Sequence, residues 1–177
     1  MHSALWPLLI ALQTGFTLVD REDPITQERQ LAYIAASGDS ALAIGCSRAG
    51  SSREIFIRLL PERYHGPGPN ALLWQPNAVY RFENGQPNNT EWYFDRNFLE
   101  LGGIFGNNRA KAEFINALAQ NRVLHVRYEA TMGDVRTVTF NYAADLTELS
   151  QLIRTCNPRR VQQHLREIGS SIVTNPR

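Results

Sequence analysis

Two thiols and four imidazoles are the side chains here best suited to redox, metal or nucleophilic chemistry, and their spacing limits what they can do. Cys46 closes the apolar run Ala41-Leu42-Ala43-Ile44-Gly45-Cys46, and Cys156 closes a helix-like stretch carrying Leu149, Leu152 and Ile153. Each thiol falls on the side of its element where core residues fall, which leaves two readings: a disulfide joining the two ends of one domain, or two buried free cysteines. A bond across so long a loop stabilises a fold by about 4–5 kcal/mol in the chain-entropy view and implies an oxidising compartment. The histidines, His2, His65, His125 and His164, lie in an apolar leader, a Pro/Gly loop, a strand and a helix. No pair has the helical i, i+4 or strand i, i+2 spacing of a metal site, and there is no Cys-x-x-Cys, so no metal ligand is expected.

Nucleophilic and phosphate chemistry are equally weak. Gly38-Asp39-Ser40 resembles the nucleophile block of some serine hydrolases, but its position between two strands accounts for all three as turn residues. Gly-x-Ser-x-Gly is absent, and Gly102-Gly103 lacks the lysine and Ser/Thr of a phosphate-cradling loop. Asp20, Glu22 and Asp23 beside Arg21 read as a charged linker rather than a cation site. Asn88-Asn89-Thr90 matches a glycosylation sequon. No catalytic residue and no cofactor are expected.

An interaction surface is better supported. The chain has 18 basic residues, and Lys111 is the only lysine among them. Arg58, Arg81, Arg127 and Arg136 fall inside predicted strands. If their registers coincide they line one sheet face with Tyr80 or Trp92 nearby, a candidate binding surface; the plainer reading is a solvated face. Nucleic acid is not the expected partner. The net charge is only +1, and Tyr80 and Phe82 alternate against Arg81 instead of sharing its face.

The elements that must position these groups follow from period and punctuation. Leu31 to Ala36, Ala41 to Cys46 and Glu54 to Leu60 are strand-length runs separated by Gly/Ser/Asp turns and predict a meander. A breaker-rich loop follows from Pro61 to Asn70. Ala78 to Phe82 and Thr90 to Phe94 flank Asn84-Gly85 and predict a hairpin. Residues 108–121 switch to helical period, with Phe114, Ile115 and Leu118 on one face and an asparagine at each end. Val123 to Ala130 and Val135 to Tyr142 predict a second hairpin, with Leu124, Val126 and Tyr128 inward and His125, Arg127 and Glu129 outward. Asp145 with Glu148 three positions on marks the next helix start, and a polar helix spans Arg159 to Ile168. The expected fold is α+β: an antiparallel sheet or sandwich of about seven short strands with two or three packing helices.

The chain length suits one domain, placed at residues 20–169, ahead of a loose tail at 170–177. Residues 1–19 carry no charge except His2 and read as a leader or N-terminal anchor, too short for a comfortable membrane span. No basic residue precedes the apolar run and no clean cleavage site follows it, so an uncleaved leader or a first packed element are the other readings.

The order of pieces resembles a known layout across residues 20–156. It comprises an Asp near the start (Asp20 or Asp23), the strand ending in Cys46, Glu54-Ile55-Phe56-Ile57, and Tyr80-Arg81-Phe82 followed by Trp92. The helix Phe114-Ile115-Asn116-Ala117-Leu118, the strand Leu124-His125-Val126-Arg127-Tyr128, and Val138-Thr139-Phe140-Asn141-Tyr142 running on to Leu149, Leu152 and Cys156 complete it. The chain thereby resembles the small periplasmic accessory proteins associated with type VI secretion (the VasI/TagO-like family) and related exported or prophage-encoded proteins. It departs from them at Gly45, in the loop from Pro61, and in the helix beyond Cys156. The resemblance implies a non-enzymatic protein-binding or assembly role in the cell envelope or a secretion-like apparatus, with Cys46 and Cys156 as the structural bridge. The expected location is periplasmic or secreted, the partner another protein, and membrane contact only through an uncleaved leader. The alternatives are a structural component of a phage or phage-like particle, and a small hydrolase or inhibitor with a loop-built site.

Overall fold

A computed structural model describes residues 16–22, 29–49, 52–61, 78–83, 85–94, 98–102, 106–131, 133–142 and 146–174. Residues 1–15 of the expected leader, most of the Pro61 loop with His65, the expected Asp145 cap and residues 175–177 lie outside the described residues.

The predicted meander is present as β2 (Arg29–Ser37), β3 (Ser40–Ala49) and β4 (Ser52–Leu60), antiparallel in sequence order. Gly38 turns the first hairpin at φ +58. Ahead of β2 lies β1 (Phe16–Glu22), which pairs with it from Phe16↔Ala35 to Glu22↔Arg29. The end of the apolar stretch read as a leader is therefore the first strand of the domain. Phe16 stacks on Tyr33 with ring centroids 4.3 Å apart.

The expected hairpin between Ala78–Phe82 and Thr90–Phe94 does not form. β5 (Ala78–Phe82) pairs with β8 (Val123–Thr131), while β6 (Trp92–Phe94) pairs with β7 (Leu99–Leu101). The turn itself is there, closed by Gly85 N–H donating to Phe82 O at 2.7 Å. Only Asn88 bridges back, exchanging both backbone bonds with Tyr80. Pro87 has no N–H for a ladder, and Asn88 Oδ1 accepts from Thr90 N–H at 2.8 Å, a local turn that redirects the chain to the other sheet. The second predicted hairpin holds, β8 pairing with β9 (Asp134–Asn141) around Gly133 at φ +81.

The described strands thus form two antiparallel sheets, ordered β1-β2-β3-β4-β7-β6 and β5-β8-β9. β1 and β7 raise the expected seven strands to nine, and the α+β class stands. Helices α1 (Asn108–Gln120), α2 (Leu146–Cys156) and α3 (Arg159–Glu167) fall where the sequence predicts two or three helices. The tail expected to be loose instead forms α4 (Ser171–Thr174), with Ile172 buried.

The core lies between the inner faces. Leu31, Tyr33 and Ala35 of β2, Leu42, Ile44 and Cys46 of β3, and Ile55, Ile57 and Leu59 of β4 occupy matched registers and are buried. Leu124, Val126 and Tyr128 point inward from β8 as expected, and Phe114 of α1 packs edge-on against Tyr80 and Phe82 of β5. β3 is buried on both faces from Ala41 to Cys46, where its other side carries Ala41, Ala43 and Gly45. Gly45 is required there, since a Cβ would lie 2.4 Å from the Phe56 ring and 2.7 Å from the Leu31 carbonyl oxygen.

Cys46 and Cys156 are bonded, with Cα atoms 5.8 Å apart across 110 residues of sequence. The bond pins the end of α2 to the inner face of the central strand. α1 is capped by Asn107, whose side chain accepts from Ala110 N–H at 3.0 Å, one residue before the asparagine expected to cap it.

Candidate functional site

The registers of the smaller sheet decide which basic residues meet. Arg81 of β5 stands opposite His125 of β8, which stands opposite Thr139 of β9; in the next outward row, Val79 is opposite Arg127 and Arg127 opposite Thr137. Inward neighbours Tyr80, Phe82, Leu124, Val126 and Val138 are buried, so these two rows make the outer face. A shallow cavity of about 310 Å³ opens there, lined by Val79, Tyr80, Arg81, Pro87, His125, Arg127 and Thr137. Its charged groups are all cationic or able to become so.

Within it, His125 Nδ1 and Thr139 Oγ1 lie 3.0 Å apart, a bond that orients the imidazole. Arg81 and Arg127 are exposed, and among the described residues neither makes an ion pair. The carboxylate in the following row, Glu129, is turned to the hairpin, accepting from Gly133 N–H at 2.7 Å. Two guanidiniums beside an imidazole have the chemistry to hold an anion, because the rigid forks of arginine match carboxylate and phosphate oxygens in pairs.

The other residues of the expected surface do not join it. Arg136 stands opposite Tyr128, on the inner-face register, and pairs with Asp134 at 3.0 Å. Arg58 belongs to the larger sheet, where it pairs with Glu100 at 2.8 Å and lies over the Phe56 and Phe98 rings at 4.3 and 4.4 Å. Trp92 is buried, edge-on to Tyr80, and its indole N–H has no partner among the described residues. The sheet boundary separates Arg58 and Trp92 from this face, and it falls at the turn where the sequence signals a hairpin; Arg136 lies in the same sheet but on its other face.

A second cavity, of about 480 Å³, lies beyond Arg81 and includes Glu83 and Glu113 in its lining, so its charge is mixed. Glu83 sits at φ +44 and accepts from Arg122 N–H at 2.8 Å. Tyr80, shared by both cavities, has its hydroxyl pushed up to about 12, by burial first, with Thr90 opposing through a hydrogen bond and Glu113 adding.

The remaining candidates for chemistry are dispersed. His164 bonds Glu167 at 2.9 Å on the exposed face of α3, which with a bond from Gln163 holds the Glu167 carboxyl below its usual range. Ser40 is buried at the start of β3. Asn88 of the sequon is turned inward to Thr90. Among the described residues no three His, Cys, Asp or Glu side chains gather to hold a metal, and no helix is long and apolar enough to cross a membrane.

No family model matches the chain, and neither a curated protein nor a solved structure matches it.

Proposed function

We propose that this chain is a non-enzymatic binding domain that docks an acidic segment of another protein on the outer face of the β5-β8-β9 sheet. The observation carrying this reading is the cavity of about 310 Å³ whose charged lining consists of Arg81, His125 and Arg127, with neither arginine ion-paired among the described residues. Arg58, Arg109, Lys111 and Arg136 have carboxylate partners; what distinguishes Arg81 and Arg127 from the other exposed arginines is that they line one cavity together with His125. Their electrostatic complement is a run of Asp or Glu.

The Cys46–Cys156 bond supports an exported setting, where disulfides persist. The resemblance to the periplasmic accessory proteins of type VI secretion supports the same setting and an assembly role, with a component of the envelope or of a secretion-like apparatus as partner.

Fluorescence anisotropy with labelled glutamate-rich and lysine-rich peptides tests the docking. The glutamate-rich peptide should bind and weaken as salt is raised, and Arg81→Glu/Arg127→Glu should abolish binding while leaving the fold intact. Equal affinity for both peptides, or unchanged affinity in the double variant, would sink the reading.

A further inference from the structure

The backbone of β9 specifies how such a segment can be held. Tyr142 N–H donates to Arg122 O across the β8-β9 ladder at 2.9 Å, whereas Thr139 O accepts from Ser37 Oγ on the opposite side at 2.6 Å. Because backbone groups alternate along a strand, even-numbered residues of β9 face β8 and odd-numbered residues face away. β9 is the last strand of its sheet. Ser37, at the end of β2, occupies the edge at Thr139. Before it, Val135 and Thr137 present their N–H and C=O groups to an edge with no paired strand among the described residues, and Val135 is 61 % exposed.

The opposite edge of the same sheet is occupied at Tyr80 and Phe82. Asn88 takes both backbone groups of Tyr80, and Gly85 N–H takes the Phe82 carbonyl. The turn after β5 thus occupies one edge at Tyr80 and Phe82, and among the described residues the other edge has no paired strand at Val135 and Thr137. That stretch adjoins the basic face: Thr137 lies directly across from Arg127 and lines the same cavity.

Resting on the docking reading above, we propose that the acidic segment binds by strand addition, pairing its backbone with Val135 and Thr137 of β9. Its alternate side chains then project onto the outer face, where carboxylates meet Arg127 across Thr137. The favoured ligand is a short extended segment in which acidic residues recur at every second position, the period of a strand face. Backbone bonds supply affinity without regard to sequence, and the arginines supply the selection for acid.

The probe is a peptide of alternating glutamate and valine, compared with the same peptide N-methylated at alternate residues, in both phases. Methylation in the phase that faces β9 removes the N–H donors and should weaken binding at least about tenfold, while the other phase should retain it. Thr137→Pro removes an N–H that faces away from β8, so the ladder is spared, and the variant should lose affinity by a similar factor. If both methylated peptides bind like the parent, strand addition is overturned while the docking reading survives, provided Arg81→Glu/Arg127→Glu still abolishes binding. If the parent peptide fails to bind at all, both fall. The methylated peptides act on the unaltered protein, so a folding defect in Thr137→Pro leaves the test standing.

Discussion

Lys111 Nζ donates to the carbonyl oxygen of Ile55 at 2.9 Å, joining α1 to the fourth strand from within the core. β7 is three residues long, and its pairing with β4 covers Arg58 and Leu59 but stops short of Ile55. The ammonium also lies 3.4 Å from Glu100, which holds Arg58. Replacing Lys111 with methionine keeps most of the volume but leaves a buried acceptor bare. Urea denaturation should show a loss of about 1–3 kcal/mol. Arg109→Ala, which breaks an exposed pair with Glu113 on the same helix, should change stability by less than about 0.5 kcal/mol. Equal effects in the two variants would contradict this account.

The disulfide joins elements that are far apart in sequence and buried at both ends. Cys46→Ala/Cys156→Ala should lower stability by about 2–5 kcal/mol, read as a fall in Tm against the oxidised protein. Protein taken from its producing host under alkylating, non-reducing conditions should carry both cysteines joined and unlabelled by intact mass. Two alkylated thiols would contradict the exported reading.

Gly45 admits no side chain without movement of β2 or β4. Gly45→Ala should destabilise by about 1–3 kcal/mol as the new methyl meets the Phe56 ring and the Leu31 carbonyl. Adding Phe56→Ala relieves only the ring contact. A double-mutant cycle by thermal denaturation should therefore show partial coupling, and full additivity would mean that the ring does not set the constraint.

Tyr80 resists ionisation because its hydroxyl is buried, with its pKa raised from 10.0 to about 12. A folded-state pKa above the unfolded value means that its stabilising contribution is complete below pH 10 and is lost as pH rises through about 12. Tyr142 is raised for the same reason. Ultraviolet titration of tyrosinate should resolve a late-titrating class that shrinks in Tyr80→Phe. A single uniform titration near pH 10 would contradict the burial.

The meander was legible in the sequence because each strand is a short apolar run bounded by turn residues, and β8-β9 because Gly133 separates two alternating runs. Partner choice between sheets was not. Asn84-Gly85 signals a turn, and a turn forms, but whether the following strand returns depends on what Trp92 packs against, a long-range contact that local pattern does not encode. The arginine face failed for the same reason in part. His125 and Arg127 were correctly placed outward by alternation within β8, and Arg81 joins them once β5 is known to pair there. Arg136 falls on the opposite face because the β8-β9 register, with its irregularity between Glu129 and Thr131, sets it across from Tyr128. β1 was hidden because its first residues continue an apolar stretch that also suits a leader.

Joining Cys46 to Cys156 closes a covalent ring that contains β4 through β9, α1 and α2, with Arg81 and Arg127 both inside it. Scission of one backbone bond anywhere in that ring leaves a single molecule, heavier by one water, whose fragments separate only after reduction. Scission in β1 or between α3 and α4 releases its piece at once. The loop from Pro61 can therefore be cut without detaching the basic face from the larger sheet.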